Sequence, residues 1–136
     1  MMTIEKEKNN QKQQHIHFLE VNQFKTNIIS IGFRVPLTRE NATKTALLAE
    51  VLKNGCCAYP SRRAVSQKTD DMFGSVFDIS IIKKGEEQVL FFYLEFVKYK
   101  RELMEECFVF LQNMIFAPIQ QQKGFSKQIV EREKRI

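Results

Sequence analysis

The run Asn41-Ala-Thr-Lys-Thr-Ala-Leu-Leu-Ala-Glu-Val-Leu-Lys-Asn-Gly55 confines the possible folds more than any other stretch. Ala42, Ala46, Ala49 and Leu52 recur at helical spacing, and Leu47, Leu48 and Val51 widen the apolar stripe. The spacing predicts a helix with defined ends. Asn41 or Thr43 suits its N-cap, where a side-chain oxygen accepts from backbone N–H groups that no helical carbonyl reaches. Gly55 suits the left-handed turn that closes a helix, and Lys53 in the last turn meets the negative end of the dipole. A helix this apolar is covered on most sides, so it belongs in a core.

The flanks of this helix set the rest. Before it, Asn27–Val35 carries Ile28, Ile29, Ile31, Phe33 and Val35, and Pro36 closes the run. A nearly continuous apolar run rich in β-branched residues predicts a strand covered on both faces. Upstream of it, His15-Ile-His-Phe-Leu-Glu-Val21 alternates as a short strand, and Asn22–Thr26 is a turn. Downstream, Ser61 caps a second helix over 62–72, which Gly74 breaks. Residues 75–82 and 88–96 alternate on either side of a turn centred on Gly85, which predicts an antiparallel hairpin. Residues 99–116 form a long amphipathic helix with Leu103, Met104, Cys107, Phe108, Leu111, Met114 and Ile115 on one stripe, stopped by Pro118. A linker, Gln120–Gly124, leads to a last helix from Phe125 to Ile136. The order strand, strand, helix, helix, strand, strand, helix, helix predicts an α+β fold, with helices packed on one face of a largely antiparallel sheet.

With 136 residues, 43% of them hydrophobic and 12 of them Phe, the protein has enough apolar surface for one core and amounts to one domain at most. Residues 1–14 are almost devoid of apolar side chains and read as a disordered polar leader. The domain then spans 15–136. No apolar run reaches the roughly 18 residues of a membrane span, and the first residues lack the apolar core of a secretion signal. The three cysteines, Cys56, Cys57 and Cys107, are odd in number and form no C-x-x-C, which suits a reducing cytoplasm, with Cys107 buried on a helix face. A net charge of +5 is too modest to argue for nucleic acid or an anionic membrane. Gly-rich phosphate loops, G-x-S-x-G and paired Cys/His signatures are absent.

The succession of strand, polar loop, motif helix, Gly55 and capping Ser61 resembles the start of an insulinase/pitrilysin-type peptidase domain. Further matching pieces are Asp71-Met-Phe-Gly74 between helix and strand, Lys84-Gly85 in the hairpin, Phe116-Ala-Pro-Ile119 after the long helix, and Ile129-Val-Glu-Arg-Glu-Lys-Arg135. The likeness covers about residues 16–136 and implies the α+β half-domain of that family, incomplete at the C-terminus. The family carries an inverted zinc motif, H-x-x-E-H, on this helix. With Gly55 aligned, the two His positions fall on Ala46 and Glu50, and the general-base Glu position falls on Ala49.

Zinc on such a helix needs imidazoles at i, i+4, and a carboxylate must take a proton from the metal-bound water. Ala46 cannot ligate, and Ala49 cannot act as a base. Glu50 alone makes no zinc site and reads as a solvated or cap-facing side chain. The resemblance also puts the third ligand on the last helix, about two turns beyond Glu133. No catalytic residue, metal or other cofactor is therefore expected. The likeness is to bacterial members that have lost the zinc motif, the subgroup associated with 5-aminopentanol modification of elongation factor P. It rests on Phe24–Asn27, Thr43–Leu48, Tyr59-Pro60, Asp70-Asp71 and Lys83–Gly85. It implies a non-catalytic, structural or substrate-holding partner of an active zinc peptidase, with a peptide as the shared ligand.

Two alternatives belong to other classes. His15 and His17 share a strand face, which would suit a peptidase with an unusual metal site; an exposed histidine pair is the plainer reading. His17-Phe-Leu-Glu20 mimics the first letters of H-F-L-E-H, but Val21 stands where the second His belongs, and a strand cannot bring the pair into helical geometry. Lys98-Tyr-Lys-Arg101 would suit RNA phosphates in a binding module; the polar start of a helix is the plainer reading. Glu131 to Arg135 read as a solvated helix face.

Overall fold

The structure, a computed structural model, describes residues 4–10, 14–98, 100–121, 124–125 and 127–134. Its centre is a three-stranded antiparallel sheet in the order β3(Thr26–Pro36), β5(Glu87–Val97), β4(Val76–Lys84). Register across the sheet aligns Ile31 with Phe92 and Phe92 with Ile79; two residues further along β5, Leu94 aligns with Ile29 and Phe77. Side chains alternate along a strand, so these rows lie on one face. α1(Arg39–Leu52) and α3(Arg101–Phe116) cover that face, and α2(Arg62–Asp71) adds Val65 to the same core. The predicted α+β class, with an antiparallel sheet and helices on one face, is what the protein adopts.

The core is one cluster. Ala49 and Leu52 of α1, Val65 of α2, Ile79 of β4, Leu90, Phe92, Leu94 and Phe96 of β5, and Leu103, Cys107, Phe110 and Met114 of α3 are all buried. Phe110 anchors it: the Phe77 ring meets it edge-on at 5.1 Å, and Tyr59 lies tilted against it at 5.5 Å. Burial pushes the Cys107 thiol up to about 11, so it behaves as a small apolar group.

Several local expectations are corrected. β3 is covered on one face only, and Ile28 on its other face is 56% exposed, because the helices form a single layer. The apolar run in β3 is a poor guide to coverage, since β-branched residues also serve strands that keep an open face. The N-cap of α1 is Thr38, whose Oγ1 accepts from the Asn41 N–H at 3.1 Å, rather than Asn41 or Thr43. The stripe of α3 is rotated: Phe110 is buried, whereas Met104 and Phe108 are exposed. Residues 4–10, read as disordered leader, form β1(Ile4–Asn10), which pairs with β2(Gln14–Glu20) through backbone hydrogen bonds that need no apolar side chains. The linker contains a short ladder between β6(Gln120–Gln121) and β7(Gly124–Phe125), and the last helix is α4(Lys127–Lys134). The expected helical residues 135–136 lie outside the described residues.

The second helix begins as expected. Ser61 Oγ accepts from the Ala64 N–H at 3.0 Å at the start of α2. Gly55 has φ +119°, and a Cβ there would sit 2.1 Å from the Tyr59 carbonyl oxygen, which accepts from the Cys56 N–H. Only glycine fits this close approach. It directs the backbone from the end of α1 to the start of α2, and so sets where Asn54 and Arg62 stand.

Candidate functional site

The positions that would carry chemistry lie along α1. Ala46 is exposed, Ala49 is 4% exposed and packed in the core, and Glu50 is half-buried. Their spacing puts Ala46 and Glu50 on one face, as an i, i+4 pair. The methyl groups of Ala46 and Ala49 offer neither a ligand nor a base.

Glu50 is held by cations. Its Oε1 accepts from Lys53 Nζ at 3.1 Å, and its Oε2 stands 3.8 Å from Arg62 Nη2. Lys53 also reaches Asp78 Oδ1 at 3.8 Å. Next to this string of charges lies an open cleft of about 290 Å³, lined by Lys53, Arg62, Val65, Ser66, Thr69 and Asp78, with Phe77 completing the wall. Glu50 is thus partly solvated and faces Lys53, the C-cap residue of α1.

A second polar cluster, which no sequence motif announces, joins α4 to α1 and α2. The Glu133 side chain is 2% exposed, and its Oε1 accepts from Asn54 Nδ2 at 3.1 Å and from Arg62 Nη2 at 3.2 Å. Arg132 Nη2 and, at 3.4 Å, Arg62 Nε donate to Asn54 Oδ1. The hydrogen bond from Asn54, with the guanidinium of Arg62 beside it, holds the Glu133 carboxyl below the usual carboxylate range against the opposing effect of burial. Glu133 Oε2 is buried without a hydrogen-bond partner. The expected solvated face therefore survives only for the neighbours, as in the Lys134–Glu131 pair at 3.8 Å. One sequence signal could have found it: Ile129, Val130 and Glu133 share a helical face, which puts the carboxylate on the apolar side.

The remaining candidates stay apart from these clusters. His15 and His17 lie in β2 opposite Asn9 and Glu7, and His17 is exposed. Among the described residues no group of three or more His, Cys, Asp or Glu side chains converges to hold a metal ion. The basic run is divided. Lys98 donates from its backbone to the Lys25 carbonyl and from Nζ to that of Val21; Lys100 lies 5.1 Å over the Phe73 ring; Tyr99 lies outside the described residues. The three cysteines are free thiols, with Cys57 exposed. No helix among the described residues is long and apolar enough to cross a membrane.

Over 124 residues the protein is 31% identical to the probable inactive metalloprotease YmfF of Bacillus subtilis (strain 168), a match covering 88% of its length. It spans 29% of the length of that relative. Among solved structures, a conserved protein from Enterococcus faecalis V583 superposes with a TM-score of 0.82 at 27% identity, over 88% of the present sequence and 29% of the other. No family model matches.

Proposed function

We propose that this protein is part of a non-catalytic peptidase homologue of insulinase/pitrilysin type, which serves an active zinc peptidase as a structural or substrate-holding partner. The observation that carries this reading is the state of the three motif positions. Two are methyl groups, one exposed and one in the core, and the third is a carboxylate already neutralised by Lys53 and Arg62. A zinc-activated water needs ligands and a base at these places. The similarity to a probable inactive metalloprotease supports the loss of catalysis. The similarity of 16–136 to the subgroup associated with 5-aminopentanol modification of elongation factor P supports a bacterial, cytoplasmic pairing with an active subunit. The α+β fold supports the assignment only by analogy, and the site supports it by chemistry.

The test is affinity purification of the tagged protein from its own cells, read by mass spectrometry, with metal analysis of the purified material. The expected result is recovery of a peptidase that keeps H-x-x-E-H, together with a tagged protein free of stoichiometric zinc. One equivalent of zinc per molecule, with chelator-sensitive peptide cleavage by the protein alone, would overturn the proposal.

A further inference from the structure

The helices of the core dock through apolar surface, but α4 does not. Its one buried residue is Glu133, and Ile129 and Val130 are only half-buried. Its polar docking runs through the Glu133 carboxylate, with Arg132 bonded to Asn54 Oδ1 beside it.

The groups that receive the carboxylate are also held from outside α4, although Arg132 of α4 shares Asn54 Oδ1. Asn54 Nδ2 also donates to the carbonyls of Glu50 at 3.0 Å and Val51 at 3.3 Å, which orients the amide at the end of α1. Arg62 begins α2, directly after the Ser61 cap, and its Nε donates to Asn54 Oδ1. An amide and a guanidinium fixed by separate helices converge on one oxygen of Glu133. Its other oxygen, buried and unpartnered, marks an imperfect fit. A guanidinium can grip both oxygens of a well-placed carboxylate, and Glu133 offers it one.

We propose that Asn54 and Arg62 form a carboxylate receptor, which Glu133 fills as a built-in occupant, so that α4 is a detachable strap. The chemical class that competes with Glu133 is a carboxylate on another molecule, an acidic side chain or the terminal carboxylate of a peptide. Release of α4 uncovers the receptor beside the cleft between Lys53 and Asp78. This inference does not rest on the proposed partnership with a peptidase.

Hydrogen exchange of the whole protein, followed by mass spectrometry, tests the strap. In Glu133→Gln the amides of 127–134 exchange at least about tenfold faster, the loss expected from a charge-assisted hydrogen bond, and those of β5 are unchanged. Wild-type α4 amides that exchange only as slowly as those of β5, or equal protection of α4 in the variant, overturn the strap. Thermal melting tests the receptor with acetate as the probe. In Glu133→Ala, acetate raises the midpoint by a few degrees over chloride at equal ionic strength, and wild type does not respond because its receptor is full. Adding Arg62→Met abolishes the response. An acetate effect no larger than that of chloride, or one that survives Arg62→Met, overturns the receptor.

Discussion

The body of α1 and the turn that follows it are held by different physics. Toward the sheet, Ala49 and Leu52 share one apolar cluster with Phe92 and Leu94, whose strength comes from area removed from water and is insensitive to pH. Past the C-terminal end, Asn54 meets Arg62 and Glu133 in a polar clamp whose strength depends on charge and on hydrogen-bond geometry. The contrast teaches that one helix can be both a fixed part of the core and one side of an adjustable joint. The apolar side of α1 takes a small residue at Ala49, and the charged side supplies its own cations.

The largest effect expected is on the apolar side. Phe92, 2% exposed, sits on the central strand beneath the helices, so Phe92→Ala destabilises by about 3–5 kcal/mol in urea titration. A loss below about 1 kcal/mol, less than the clamp is expected to supply, would mean that the sheet side is not the stronger of the two. Next comes a charge placed on the core side of α1. Ala49→Glu places an unpaired carboxylate in the core and costs about 2 kcal/mol or more. A stable Ala49→Glu variant would show that α1 can rotate away from the sheet.

The clamp follows. Glu133→Gln weakens a charge-assisted contact and costs about 1–3 kcal/mol, localised to α4. Because the folded-state carboxyl lies below its unfolded range, its contribution is present at neutral pH and is lost as pH falls through the depressed folded value. Acid titration of α4 order should therefore show a step below the ordinary carboxylate range in wild type and no such step in Glu133→Gln. Ser61→Ala removes the cap that positions Arg62 and costs about 1 kcal/mol in thermal unfolding. Ala46→His lies on the exposed side of α1 and changes stability by less than about 0.5 kcal/mol in thermal unfolding.

Much of this molecule is legible in its sequence because the signals are local. The strand ending at Pro36, the helix before Gly55, the Ser61 cap, the hairpin around Gly85 and the stop at Pro118 all follow from short-range sterics, capping and periodicity. Tertiary structure decided the rest. Whether Ile28 or Phe108 faces a neighbour depends on how many layers assemble, and one helical layer leaves both exposed. The pairing of 4–10 with 14–20 depends on backbone hydrogen bonds that side-chain pattern does not encode. Asn54, Arg62 and Glu133 become a site only because Gly55 turns the backbone and α4 returns to α1, joining residues 79 positions apart. Charge in a sequence names the ions; only the fold names their partners and the water they lose.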